Sequence, residues 1–181
     1  MSILIRIPLI LFCFLIFSHC FGGVDNRGSV LKYNQGFVYT EGGKFRIGVP
    51  SGEWEKKSLR FRAIVFAHQA RSATLSVDSF CKGSFDDAPL TSLADQLFYG
   101  MAKTQTIKHQ DLKLEGRAAV KAQATGTVDG APIRMEVVVL KMNACVFDFV
   151  YMATPEDFER DLDDFKRMYE GFHYLAGPPI D

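Results

Sequence analysis

The sequence predicts an α+β fold in which an antiparallel β-sheet of about six to seven strands carries helices packed on its faces. Three observations lead to this class. Apolar and polar residues alternate with a period of two over several short segments, as in half-buried strands. Turn sequences separate these segments, and Asp129-Gly130 is the strongest of them. Two further segments, 89–102 and 154–172, repeat their apolar residues with helical spacing.

The first half of the chain contains a series of short predicted strands. In the second of them, Phe45, Ile47 and Val49 alternate with polar residues or glycine until Pro50 ends the strand. The last two are separated by a short turn and are expected to pair as a β-hairpin. The predicted strands are 36–39, 45–49, 62–68 and 73–81.

The segment 89–102 is predicted to form the first helix. Its apolar residues recur at i, i+3, i+4, i+7, i+8 and i+11 from Leu90, so they share one helical face. Pro89 suits the first turn, and Asp86 or Asp87 could cap it. The residues expected to face the sheet are Leu90, Leu93, Ala94, Leu97, Phe98 and Met101.

Strands return in the second half of the chain as an antiparallel meander. Asp129-Gly130 makes a two-residue hairpin turn because both residues tolerate positive φ. Two further turns are expected at Glu115-Gly116 and Asn143-Ala144. The predicted strands are 112–114, 117–128, 133–142 and 145–153, the last with Cys145, Phe147, Phe149 and Tyr151 on one side.

A second helix is predicted from Thr154, which could cap it, with Pro155 in its first turn and acidic residues at its positive end. From Phe158 its apolar residues follow at +4, +7, +11 and +14, ending at Phe172. The last segment, 176–181, contains Gly-Pro-Pro and is predicted to be a disordered tail.

The balance of charge excludes several classes of function. The 181 residues include 21 Lys and Arg and 21 Asp and Glu, so the formal net charge is zero. Such a chain lacks the basic excess that nucleic-acid binding requires. The same balance argues against a polybasic protein of the membrane surface. Charged residues at 23% and aromatic residues at 13% indicate a folded chain.

Residues 1–20 are predicted to be a secretory signal peptide. Arg6 gives a positive start, residues 7–17 contain no polar side chain, and small residues follow. The alternative is a retained membrane anchor. A helix of that apolar length would span about 16 Å, against a hydrocarbon core of about 30 Å. We therefore expect an exported protein of the periplasm or cell envelope.

Three processing outcomes fit the end of this leader. Cleavage after Cys20 or after Gly22 places small residues at the required positions. The third outcome makes Cys20 the lipidated first residue of a bacterial lipoprotein, since residues 17–20 resemble a lipobox. Ser18 fits that pattern, whereas His19 departs from it because Gly, Ala or Ser normally precedes the cysteine. After the leader we expect a flexible lead-in, 21–35, and one domain, 36–175.

The sequence predicts no catalytic residue, no cofactor and no metal site. His68, His109 and His173 lack a second His or Cys at zinc or haem spacing. Nucleophile-elbow, phosphate-loop and His-Glu-x-x-His motifs are absent as well. Asp78 and Asp148 lie within predicted strands and would form an acid/base pair if those strands were neighbours. We expect both carboxylates to face solvent instead.

Cys81 and Cys145 are predicted to form a structural disulfide. One ends a strand and the other begins a strand, and export would bring both into an oxidising compartment. The alternatives are two buried free thiols or a redox site, and no Cys-x-x-Cys motif supports a redox site.

The order of elements over residues 37–175 resembles the PsbP/Mog1-like superfamily. The matching features are Phe45-x-Ile47-x-Val49-Pro50 followed by Trp54, a hairpin, one crossing helix, a meander and a Pro-initiated C-terminal helix. The resemblance implies an antiparallel sheet with helices on its faces. It also implies accessory or assembly roles exerted through surfaces, without shared catalytic residues.

A narrower resemblance concerns the two cysteines. Phe80-Cys81 together with Cys145-x-Phe147-Asp148-Phe149 is similar to a group of uncharacterised exported bacterial proteins, some of which are lipoproteins.

Two functions are compatible with these observations. The first is a non-enzymatic envelope protein that acts through its surface on an unknown envelope protein or membrane-associated partner, and not on nucleic acid. The second is an envelope hydrolase or small-molecule-binding protein that uses Asp78, Asp148 or His68. A concave pocket that holds two of these side chains would favour the second function.

Processing of the leader is tested by the intact mass of the protein purified from its host. We expect the mature chain to lack residues 1–20 or 1–22 because the leader has the order of a signal peptide. A diacylglycerol mass on Cys20 would identify the lipoprotein outcome. A mass that includes residues 1–20 without such a modification would contradict the signal peptide and favour the retained membrane anchor.

Overall fold

The computed structural model describes residues 30–57, 63–81, 87–105 and 107–176. The predicted signal peptide with Cys20, and residues 177–181 of the predicted tail, lie outside these ranges. Within them, no helix is long and apolar enough to cross a membrane. The helices are α1 (Leu90–Gln96) and α2 (Leu162–Glu170), with a 3₁₀ helix at Phe158–Arg160. The strands are β1 (Val30–Asn34), β2 (Phe37–Thr40), β3 (Gly43–Arg46), β4 (Trp54–Lys57), β5 (Ile64–His68), β6 (Ala73–Cys81), β7 (Lys108–Leu114), β8 (Arg117–Val128), β9 (Ala131–Met142), β10 (Cys145–Ala153) and β11 (His173–Ala176).

These strands form two antiparallel sheets. The large sheet has seven strands in the order β4-β5-β6-β10-β9-β8-β7, and the small sheet has four in the order β1-β2-β3-β11. The large sheet is the predicted sheet of about six to seven strands, so the α+β fold class is confirmed. The small sheet was not predicted as a separate layer.

Strands β6 and β10 lie side by side at the centre of the large sheet, and they are the neighbouring strands of this sheet that are farthest apart in the sequence. They pair over nine residues, from Ala73 opposite Ala153 to Cys81 opposite Cys145. Successive side chains of a strand point to opposite faces, so this register fixes which residues share a face. We call the face that carries Val77 the α2 face and the face that carries Val146 the α1 face, after the helix that covers each.

The α2 face carries the main core, which is built largely from aromatic rings. The ring of Phe147 lies 5.1 Å from that of Phe45 in the small sheet and 4.8 Å from that of Phe172. The ring of Tyr151 lies 4.9 Å from that of Phe158, and its hydroxyl donates a hydrogen bond to the Phe158 carbonyl at 2.9 Å. Such ring pairs contribute about 0.5–1.5 kcal/mol beyond area burial, so they fasten the small sheet and the C-terminal segment to β10.

On the α1 face, α1 packs over β8 and β9. The helix is shorter than the predicted segment 89–102, because the amides of Leu97, Phe98 and Tyr99 bond to carbonyls only three residues earlier. This tighter spacing ends the α-helix but keeps the apolar residues directed at the sheet. The predicted residues that are buried there are Leu93, Ala94, Phe98 and Met101.

The second helix was predicted to start at Thr154, and this start is wrong. Turns and the 3₁₀ helix occupy the first part of the segment, and α2 begins only at Leu162. Asp161, which precedes α2, is 2% exposed and accepts a hydrogen bond from Nε of Arg71 at 3.1 Å. Asp161 has φ −115° and ψ 8°, outside the helical region, so the α-helix starts after it.

Strand structure is present at both ends of the described chain, where none was predicted. β1 lies inside the segment 21–35 that was expected to be a flexible lead-in, and it pairs with β2 across the Gln35-Gly36 turn. At the other end β11 reaches Ala176, the first residue of the predicted tail, and pairs with β3. The local pattern missed both strands because each depends on pairing within the small sheet.

The three predicted hairpin turns of the meander are confirmed. Both residues of each turn have positive φ: 50° and 71° at Glu115-Gly116, 51° and 83° at Asp129-Gly130, and 51° and 58° at Asn143-Ala144. Positive φ at both central residues matches the right-handed twist of the flanking strands, so these turns set the register from β7 to β10.

Gly48 lies where the chain after β3 meets α2. Its amide donates a hydrogen bond to the Met168 carbonyl at 3.1 Å. A Cβ atom at position 48 would lie 2.0 Å from the Arg167 carbonyl oxygen, and one at Gly171 would lie 2.5 Å from the Gly48 nitrogen. Only residues without a side chain permit this approach of two backbones.

We therefore predict that Gly48→Ala lowers the free energy of unfolding by roughly 1–3 kcal/mol, because a backbone carbonyl cannot move aside cheaply. Gly100→Ala is the control, since a Cβ atom there meets nothing within 4 Å. Urea unfolding followed by circular dichroism measures both variants. Equal midpoints for wild type and Gly48→Ala would contradict the close approach.

Candidate functional site

Asp78 and Asp148 are directly opposite each other in the β6–β10 ladder, on the α1 face. Residues opposite each other in an antiparallel pair have Cβ atoms about 4.5–5.5 Å apart, so the two carboxylates are neighbours. Asp148 is 8% exposed. The prediction that both carboxylates face solvent is therefore wrong for Asp148.

Burial is the larger cause, and the adjacent charge of Asp78 the smaller cause, of a rise in the pKa of Asp148 to about 7. Oδ1 of Asp148 is buried and accepts no hydrogen bond from the described part of the chain. Oδ1 of Asp78 accepts a hydrogen bond from the Ser79 amide at 2.8 Å. Asp148 therefore keeps its proton up to near-neutral pH beside Asp78.

His68 does not belong to this pair. It follows Ile64 and Phe66 on the α2 face of β5, on the opposite side of the sheet from Asp78. Its Nδ1 accepts a hydrogen bond from the Ala70 amide at 3.1 Å, and its ring meets that of Trp54 edge-on at 5.1 Å. These contacts assign His68 a packing role in the sheet.

The structure also places the other two histidines at separate points. His109 bonds to Asp95 of α1 at 2.7 Å, and Nδ1 of His173 contacts the carboxylate of Glu115. Among the described residues, no three His, Cys, Asp or Glu side chains come together as a metal site.

Two cavities lie beside β7 and β8, and neither contains the predicted acid pair. One, of about 220 Å³, is lined by polar side chains that include Lys121 and Glu136. The other, of about 480 Å³, is lined by residues that include Leu112 and Val120. Asp78, Asp148 and His68 line neither cavity.

Cys81 and Cys145 are joined by a disulfide in the structure. They form the last pair of the β6–β10 ladder, on the α2 face, and both are buried. The bond closes a chain segment with a sequence separation of 64. It therefore covalently links the early hairpin to the late meander.

The small sheet presents a second candidate surface that the sequence analysis missed. Val38 and Phe45 point inward and are buried, so alternate residues of the same strands point outward. The outward residues form two rows across the sheet. We call this surface the aromatic–cationic face, and it consists of Lys32, Tyr39 and Lys44 in one row and Asn34, Phe37, Arg46 and His173 in the other.

Cations and rings are in contact within this face. Nζ of Lys44 lies 4.9 Å from the ring centroids of both Phe37 and Tyr39, and Nζ of Lys32 lies 5.8 Å from that of Tyr39. These are cation–π distances. The four strands of the small sheet contain no Asp or Glu at all. Positive charge is therefore segregated here in a chain whose formal net charge is zero.

Large apolar side chains flank the same sheet. Leu31 is 64% exposed at the irregularity between Val30 and Lys32 in β1. Leu175 is 46% exposed at the corresponding irregularity in β11. β1 and β11 are the two edge strands of the small sheet, so an exposed leucine stands at each edge.

No protein-family model and no curated protein matches the chain. Solved structures similar to it include PsbP from the cyanobacterium Synechocystis (15% identity, 82% of this chain and 94% of that one, TM-score 0.49). They also include LpqN of Mycobacterium tuberculosis, described as involved in cell envelope biogenesis (14% identity, 74% and 83%, TM-score 0.49). A third is a protein of Bacteroides thetaiotaomicron (8% identity, 72% and 45%, TM-score 0.52).

All three of these structures share only 8–15% identity with this chain. The likeness concerns the fold alone.

Replacing both cysteines tests the disulfide. Cys81→Ser with Cys145→Ser should lower the free energy of unfolding by about 2–4 kcal/mol, chiefly because the unfolded chain regains its freedom, and should leave the fold intact. In all three processing outcomes Cys13 and Cys20 are removed or blocked. Thiol labelling of the denatured mature protein should therefore find no thiol until reductant is added. Labelling of two thiols without reductant would show that the bond is absent.

The acid pair predicts a pH dependence of stability. The native pKa of Asp148, about 7, lies above its ordinary value of 3.8, so between these values the native state holds a proton that the unfolded chain has lost. The stabilisation from this proton is complete below pH about 4 and disappears as the pH rises through about 7, at up to about 1.4 kcal/mol per unit.

Asp148→Asn should remove this decline between pH 4 and 7 in urea unfolding. Asp111→Asn, an exposed residue on the edge strand β7, is the control and should keep the wild-type profile. A wild-type profile that rises over the same range and is unchanged by Asp148→Asn would contradict a protonated, buried Asp148.

Proposed function

We propose that this protein is a non-enzymatic accessory protein of the bacterial cell envelope that binds its partner through the aromatic–cationic face. The observation that carries the proposal is the segregation of charge. The small sheet bears Lys32, Lys44, Arg46 and His173 without an acidic residue in its strands, although the whole chain is neutral.

The composition of this face is that of a binding surface. Phe37 and Tyr39 remain partly exposed between cationic side chains, and exposed aromatic residues and arginine are enriched where proteins bind one another or a membrane. Val38 and Phe45 provide the inward contacts of the same strands, so Phe37 and Tyr39 are not part of the core that the described residues form. We infer that the outward rows serve a partner.

Export to the envelope is supported by two features. The leader has the order of a signal peptide, and the Cys81–Cys145 bond is of the kind that persists in oxidising compartments.

The alternative of an envelope hydrolase has one observation in its favour, the adjacent Asp78 and Asp148. A hydrolytic site also requires a cavity beside the acid pair and groups that position a substrate. The cavities beside β7 and β8 are lined by other residues, and His68 faces the other side of the sheet. The surface-binding function is therefore the better supported.

Site-specific photo-crosslinking in the living host tests the proposed function. A photoreactive phenylalanine analogue replaces Tyr39 on the aromatic–cationic face, or Tyr99, which is 83% exposed beyond α1 and serves as the matched control. We expect a discrete crosslinked product from position 39 only. The product should disappear when Lys32→Glu and Lys44→Glu are added. Crosslinks of equal yield from both positions, or none from position 39, would overturn the proposal.

A further inference from the structure

We propose that the aromatic–cationic face docks on an anionic phospholipid surface. This inference rests on the proposed function and names the partner of the same face. In this arrangement Lys32, Lys44 and Arg46 donate hydrogen bonds to lipid phosphates, while Phe37 and Tyr39 lie at the level of the headgroups.

Charge complementarity is the first argument for this partner. The outward rows contain cations and rings, and the four strands contribute no carboxylate that a negatively charged surface would repel. Among nearby acids, Glu115 is already in contact with His173, and Glu41 lies in the turn between β2 and β3. Each Lys or Arg close to an anionic bilayer strengthens binding by about fivefold.

The arrangement of apolar groups is the second argument. Leu31 and Leu175 stand exposed at the two edges of the sheet, where they flank the cationic rows. At a bilayer surface such side chains reach the acyl boundary, aromatic rings lie at the interface, and Lys and Arg extend to the phosphates. A soluble acidic protein would satisfy the cations but would not require an exposed leucine at each edge.

The position of the preceding chain is the third argument. β1 starts at Val30 and forms one edge of the small sheet. Lipid on Cys20, which is one of the three processing outcomes, would leave residues 21–29 between the anchor and β1. These residues span at most about 30 Å. An anchor at Cys20 would therefore keep the small sheet near the bilayer, where its cationic side chains can reach lipid phosphates.

Vesicle binding by the processed protein, purified from the envelope of its host, tests the inference. The probes are phosphatidylcholine vesicles with and without phosphatidylglycerol, at low salt and at about 1 M salt, where charges are screened within about 3 Å. At low salt we expect more protein to bind to the anionic vesicles than to the neutral ones, and we expect this excess to be lost at high salt. Lys32→Glu with Lys44→Glu should weaken binding by about 25-fold or more, from about fivefold per charge.

Lys108→Glu with Lys113→Glu is the matched control, because it makes the same change of charge at two exposed residues of the edge strand β7. The vesicle affinity of this variant should lie within about twofold of the wild-type affinity if binding depends on the aromatic–cationic face and not on net charge. Leu31→Ser does not change the net charge. It should weaken vesicle binding severalfold, and the salt dependence of the binding should remain that of the wild type. Circular dichroism of each variant verifies the fold.

Equal binding to vesicles with and without phosphatidylglycerol would overturn the lipid inference. So would unchanged binding by the Lys32→Glu, Lys44→Glu variant. If that result accompanies a crosslink from position 39 to an envelope protein, the partner is an acidic protein and the proposed function stands. If position 39 also gives no crosslink, both the partner and the function are wrong.

Discussion

The pairing of β6 with β10 is the constraint on which the rest of this structure depends. These strands are far apart in the sequence, yet they form a nine-residue ladder at the centre of the large sheet, and the Cys81–Cys145 bond closes one end of it. The register assigns every neighbouring side chain to one of two faces. A shift by one residue would exchange the faces and place Asp148 among the aromatic rings of the core.

Each face then has its own consequence. On the α2 face, the ring of Phe147 contacts Phe45 of the small sheet and Phe172 of the C-terminal segment, and these contacts pack the small sheet against the ladder. The inward side of the small sheet is used for this packing, and its outward side carries the aromatic–cationic face through which we propose that the protein binds its partner. On the α1 face the same register sets Asp148 against Asp78, which costs stability as the pH rises toward neutrality.

Local signals predicted the elements that local chemistry decides. Asp129 and Gly130 tolerate the positive φ of a hairpin turn, and the apolar residues around Leu93 recur with helical spacing. The turn and the helix were therefore both predicted from the sequence. Contacts between distant segments of the chain could not be predicted in this way. The burial of Asp148 depends on β6 becoming its neighbour, and β11 depends on meeting β3. The aromatic–cationic face draws on four separate strands, and a net charge of zero conceals it.

Native-state hydrogen exchange tests most directly whether the small sheet depends on the β6–β10 ladder. Some amides exchange only when the whole molecule unfolds, and their opening free energy equals the free energy of global unfolding. Amides in segments that open locally have a lower opening free energy and exchange faster. We predict that the amides of β6 and β10 belong to the first class, and that those of β1 and β2 open at lower free energy. Faster exchange in β6 and β10 than in β1 and β2 would contradict the account, because the small sheet would then be stable without the ladder that carries it.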